Sequence, residues 1–269
     1  MKQFKHIITS GCSFSDIKNN ISWPLHLSSS YADSSTNHTG LTSQGNGLIA
    51  RKAMYAVQSA LAAGIPAEEI LVGIMWSGPD RHDMFLQHLP DQLSDEVKEK
   101  DFMVVNPTNF VVAPGGWLIM NSHWNEIHSK RYYTYFHDEI NQRINTYEKI
   151  LWTQLYLKAH NINYFMTAYT DQVLDRHGNN PNISWLKDQV DWDQWLPVKS
   201  MHSWCYNYWT DDAFADIEVL NPENGKTFLF KDNHPTRDMH VKFTQEVILS
   251  FINNKFPNYV PPVFKEFGP

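Results

Sequence analysis

Two short stretches at opposite ends of the chain carry residue types suited to acyl transfer. Gly11-Cys12-Ser13-Phe14-Ser15 follows an apolar run near the start, and Asp232-Asn233-His234-Pro235-Thr236 precedes a helical pattern near the end. Serine is a weak nucleophile until a base removes its proton, and the charge that develops on the carbonyl oxygen needs N–H donors. A turn at the end of a buried strand exposes the hydroxyl and frees backbone N–H groups, so Ser13 is the candidate nucleophile. Proline restricts its own backbone and that of the residue before it, so His234 has a fixed direction. With Asp232 close by in sequence, His234 has the makings of a general base. Both stretches also have plainer readings. Ser13 or Ser15 would serve as a helix N-cap, and Pro235 with Thr236 would start a helix. The second of these leaves Asp232 and His234 unexplained.

The elements that must bring these ends together are legible as periodic segments. Residues 4–9 read as a buried strand ending at Ser10-Gly11, and residues 28–47 as a polar loop. Ile49, Ala53, Ala56, Ala60 and Ala63 mark a helix over 48–63 that Gly64 closes. Residues 70–76 form a near-continuous apolar strand of the kind covered on both faces. A helical stripe spans 140–160, a strand spans 161–170, a hairpin is centred on 228–230, and a last helix spans 235–256. Two segments lack a clean period: an irregular insertion at 87–128 and a Trp-rich one at 171–224. Strand, helix, strand in alternation predicts a parallel α/β sheet, whose sites form at the carboxyl ends of its strands. Three such ends are Ser10 to Ser13, Trp76 to Asp80, and Thr167 to Asp171.

The ordered set of blocks resembles the SGNH, or GDSL-type, serine hydrolases. It comprises Gly11-Cys12-Ser13, Trp23-Pro24, Gly45-Asn46-Gly47, Trp76-Ser77-Gly78-Pro79-Asp80-Arg81 and Asp232-Asn233-His234-Pro235, spread over nearly the whole chain. The order, with acid and histidine together at the end, differs from that of the α/β-hydrolases. The resemblance implies a single domain over 1–269 with a flavodoxin-like, three-layer α/β/α fold. It also implies Ser13 as nucleophile, His234 as base and Asp232 as the orienting acid. Oxyanion donors would come from Ser13 and from Gly45 or its neighbour Asn46. The family's acid lies three residues before the histidine, where this chain has Lys231, and its third oxyanion donor is an Asn absent here. Ser77, Gly78 or Asn46 would stand in for it. Trp76, Asp80 and Arg81 would line the substrate. The implied reaction is hydrolysis of a small acyl ester, such as an acetyl ester on a carbohydrate, with no cofactor and no metal.

Composition narrows the partners. With 22 basic and 29 acidic residues the net charge is −7, which gives no counterion-release attraction to nucleic acid. Two cysteines, Cys12 and Cys205, are too few for a disulfide framework, and Cys12 reads as a buried thiol. No glutamate-bearing His-x-x-x-His pattern and no P-loop lysine is present. Asp80-Arg81-His82-Asp83 reads as a surface charge cluster or as a set of pairs ordering the site mouth. Trp185, Trp192, Trp195, Trp204 and Trp209 would roof the site and stack on sugars, or else form a satellite core. No signal-like or membrane-spanning run occurs, so no membrane partner is expected and the expected location is cytoplasmic or a virus particle. Two other function classes fit the departures from the family pattern: a non-catalytic module that binds a glycan or protein, and a structural component of a larger assembly.

Overall fold

In the computed structural model, the described residues are 3–17, 22–31, 33–86, 104–105, 116–120, 122, 127–174, 180–206, 214–220 and 227–258. The strands are β1 (His6–Gly11), β2 (Ser35–His38), β3 (Ile70–Trp76), β4 (His82–Leu86), β5 (Val104–Val105), β6 (Gly116–Met120), β7 (Asn163–Ala168), β8 (Phe214–Leu220) and β9 (Thr227–Pro235). The helices are α1 (Trp23–Ser30), α2 (Asn46–Ala62), α3 (Ile127–Tyr135), α4 (Glu139–Ala159), α5 (Pro181–Lys187), α6 (Met201–Tyr206), α7 (Arg237–Phe243) and α8 (Ser250–Lys255). A π-helical segment, Thr244–Leu249, joins the last two.

The protein is α/β, built on a parallel four-stranded sheet in the order β2-β1-β3-β7. Strand β3 is buried along its whole length, as its unbroken apolar sequence requires when helices cover both faces. On one face Ala50, Ala53, Ala56, Val57 and Ala60 of α2 pack against β1 and β3 together with Tyr147, Ile150 and Leu157 of α4. On the other, Trp23 and Leu27 of α1 meet Met239, Phe243, Ile248 and Ile252 of the last helices. A helix layer on each face is consistent with a three-layer arrangement. Gly73 in β3 permits the closest approach. A side chain there would put its Cβ 2.5 Å from Phe165 Cζ and 3.1 Å from Trp23 Cη2.

The Trp23 N–H donates to His240 Nδ1 at 3.1 Å, linking α1 to α7. Burial, reinforced by His26 and His234, lowers the His240 pKa to about 3, so the ring is neutral and its Nδ1 lone pair stays available.

Several segments differ from their sequence reading. The polar loop at 28–47 holds the last turn of α1 and the edge strand β2, whose residues are half exposed and so lack an apolar signature. The irregular insertion at 87–128 contributes to an antiparallel sheet, β4-β6-β5. The last helix begins at Arg237 and not at Pro235, because Pro235 closes β9. The Trp-rich segment is tied to the central sheet, with Trp195 bridging Met166 in parallel and Leu196 N–H donating to Met166 C=O at 2.9 Å.

Candidate active site

The sheet runs from β1 outward to β2, then back across β1 to β3. The reversal leaves a crevice at the carboxyl ends of β1 and β3, where open α/β sheets bind ligands. At that point β1 passes into a single 3-10 turn, Ser13–Ser15. The first bond of the turn runs from Ser15 N–H to Cys12 C=O, at 2.8 Å, so the N–H groups of Ser13 and Phe14 have no acceptor within it. A side chain at Gly11 would put its Cβ 2.3 Å from Ser15 Oγ, so the turn needs glycine there. Ser15 Oγ accepts the indole N–H of Trp23 at 2.9 Å. Neither serine therefore acts as a helix cap.

His234 comes from the β8–β9 hairpin. Between the paired positions Asp216↔Lys231 and Phe214↔Pro235, β9 has three residues where β8 has one. Asp232, Asn233 and His234 make up this bulge, a device that re-aims the chain beside functional sites. His234 Nε2 lies 2.7 Å from Ser13 Oγ, although 221 positions separate the residues. In the tautomer that carries its proton on Nδ1, His234 accepts the Ser13 hydroxyl at Nε2, the arrangement a general base needs. The Phe14 ring packs 5.1 Å from the His234 ring and 5.2 Å from that of Tyr169, fixing the imidazole from one side. His202 is a further neighbour: burial lowers its pKa, Asp171 opposes this, and His234 adds to the lowering. The side chain of Asp232 lies outside the described residues.

The expected oxyanion donors are for the most part engaged in holding the crevice together. Gly45 N–H donates to Asp83 Oδ1 at 2.6 Å and Leu48 N–H to Asp83 Oδ2 at 2.7 Å, so this carboxylate caps α2. Burial pushes the Asp83 pKa up to about 6, against the pull of those two N–H groups and of Lys52 and Arg51. Asn46 bridges to the end of β3. Its Oδ1 accepts Ser77 N–H at 2.8 Å, and its Nδ2 donates to Ser77 C=O at 3.0 Å and to Thr146 Oγ1 at 3.2 Å. At Gly78, a Cβ would meet Asp80 Oδ1 at 2.3 Å. Ser13 and Phe14 thus hold the N–H groups best suited to an oxyanion, and the free start of the turn was the signal for them in the sequence.

Of the expected substrate-lining residues, Trp76 is a correction. It is fully buried in the core beside α2 and α4 and is not accessible to a substrate. Asp80 accepts Ser122 Oγ at 3.2 Å through its carboxylate and Tyr133 Oη through its carbonyl. The Arg81 guanidinium lies 5.1 Å from the centre of the Tyr169 ring and beside the Cys12 thiol, and its Nη1 is buried without a hydrogen-bond partner. Burial opposes its charge, but Cys12, Tyr169 and Asp80 outweigh that and raise its pKa. Sequence reasoning missed the rings of Phe14 and Tyr169, since one aromatic among 15 Phe and 12 Tyr carries no signal. The tryptophans divide: Trp195 and Trp204 are buried, Trp185 and Trp192 are exposed, and Trp209 lies outside the described residues.

Among the described residues no group of three or more His, Cys, Asp or Glu is placed to hold a metal, and no helix is long and apolar enough to cross a membrane. Comparison of the chain with protein-family models, with curated proteins and with solved structures returned no match.

Proposed function

We propose that the protein is a serine esterase of the SGNH type, acting on a small acyl ester through Ser13 and His234. The observation that carries this reading is the 2.7 Å approach of Ser13 Oγ to His234 Nε2 at the carboxyl edge of a parallel sheet. Ser13 Oγ attacks the ester carbonyl carbon while its proton passes to His234 Nε2. The N–H groups of Ser13 and Phe14 face the oxygen that becomes negative. The imidazolium protonates the departing alcohol as its C–O bond breaks. Water, deprotonated by His234, then releases the acid and restores the serine. Asp232 has the role of orienting His234, and an acetylated carbohydrate is the first substrate class to test.

A fluorophosphonate probe is expected to label wild-type protein once, at Ser13. Labelling should be abolished in Ser13→Ala and slowed at least about a thousandfold in His234→Ala, as for other members of such catalytic units. Unlabelled wild-type protein, or labelling that survives Ser13→Ala, refutes the esterase. The reading as a binding module draws on a different observation, the commitment of Gly45 N–H and the Asn46 amide to structural bonds. It requires a folded, unlabelled protein.

A further inference from the structure

A cleft of about 240 Å³ opens between the first turns of α2 and the facing side of α4. Helix α2 lines the cleft with Asn46, Gly47 and Arg51, and α4 with Gln142, Asn145, Thr146 and Lys149, so each helix turns one cation and several neutral positions toward it. Arg81 contributes a third cation, and among the described residues Asp83 is the only acidic one in the lining. Among the described residues no aliphatic or aromatic hydrocarbon side chain lines it.

Three cations against one carboxylate reverse the sign of the whole chain, whose net charge is −7. The carboxylate is also spent. Both Asp83 oxygens accept N–H groups at the start of α2, and burial favours its neutral form. Arg81 borders both the cleft and the aromatic side chains packed beside the nucleophile. The Arg81 guanidinium carbon lies 5.1 Å from the Tyr169 ring centre, and the Tyr169–Phe14 and Phe14–His234 ring centres are 5.2 and 5.1 Å apart. Arg81 is held at this junction by hydrogen bonds to Cys12 and Tyr169, and its buried Nη1 has no hydrogen-bond partner.

We propose that this cleft binds an anionic group, a carboxylate, sulfate or phosphate, carried on the alcohol side of the ester that Ser13 cleaves. The substrate class becomes an acylated acidic molecule, such as a uronate or a sulfated or phosphorylated sugar. The assignment rests on the esterase reading, so one arm of the test is independent of catalysis.

In that arm, sodium sulfate is titrated calorimetrically into the intact chain and into Arg51→Gln/Lys149→Gln. Saturable binding weakened about tenfold or more in the double variant is expected, each lost charge-assisted bond having roughly that effect. No saturable binding, or binding indifferent to the substitutions, overturns the cleft. Lys149→Gln alone gives a milder second variant, and thermal melting checks that each remains folded.

In the second arm, kcat/KM is compared for 4-acetoxybenzenesulfonate and the neutral 4-acetoxybenzenesulfonamide. The wild type should prefer the anion, and the double variant should lose that preference while hydrolysing the neutral ester as before. Sulfate binding with no change in ester preference assigns the cleft to a free anion and overturns the substrate role. Sulfate binding in a protein that no fluorophosphonate labels removes the esterase and the substrate role together, leaving only an anion site.

Discussion

Replacing Asn46 with alanine tests whether the start of α2 and the end of β3 are held in register by one side chain. Asn46 accepts Ser77 N–H at 2.8 Å and donates to Ser77 C=O at 3.0 Å, and both residues are buried. Alanine leaves two buried backbone groups without partners, at about 1–3 kcal/mol each, so a total loss of about 3 kcal/mol is a conservative figure. For a chain of this size that corresponds to a fall in Tm of roughly 6–12 °C. Urea unfolding followed by tryptophan fluorescence and by far-UV circular dichroism measures the free energy. An unchanged m-value would locate the effect in the native state. Asn46→Asp keeps an acceptor for Ser77 N–H but sets a carboxylate oxygen against the Ser77 carbonyl, so it should do no better than alanine at neutral pH. A loss below about 0.5 kcal/mol, the ordinary range for surface substitutions, would refute the bridge.

Acid should destabilise the protein partly through His240. Its folded pKa of about 3 lies below its ordinary value of 6.5, so the stabilisation is complete above 6.5 and is lost as pH falls toward 3. Its share between pH 7.5 and 5 is about 2 kcal/mol, from one proton at about 1.4 kcal/mol per pH unit. His240→Asn keeps an acceptor for Trp23 N–H and should flatten the acid slope by one proton; an identical slope in denaturant melts at the two pH values sinks the assignment. Gly73→Ala forces a Cβ to 2.5 Å from Phe165 and should cost about 1–3 kcal/mol by overpacking. The smaller Phe165→Leu in the same chain should recover part of that loss, and additive losses in chemical denaturation would contradict the contact. Fluorophosphonate labelling should yield one adduct in the wild type and none in Ser13→Ala, by intact mass.

The central strands were legible because burial on both faces writes an unbroken apolar run, as in Ile70 to Trp76. Strand β2 was not, because an edge strand of Ser, Thr, Asn and His is held by backbone pairing to β1 and carries little side-chain pattern. In the site, Ser13 and His234 were readable from residue type and chain order, but their contact depends on a bulge whose register no local pattern encodes. Asp80 to Asp83 shows the limit most clearly. A run that reads as surface charge contains Asp83, which caps α2, and Arg81, which is packed against Tyr169. Each charge is assigned by partners 35 to 88 residues away, beyond the reach of a periodicity argument. Trp76 misled for the converse reason: it stands at a strand's carboxyl end, yet its ring turns into the core.

The hairpin that carries His234 is hydrogen-bonded as a ladder of its own, separate from the four parallel strands that carry Ser13. Reactivity and architecture are therefore divisible. A protease cut inside the hairpin, or a shift of its ladder by one pair, would withdraw the imidazole while the sheet and its helix layers stayed intact. A preparation with an unaltered far-ultraviolet spectrum and melting curve could still be chemically silent, and only a reagent that reads the hydroxyl would tell the two populations apart.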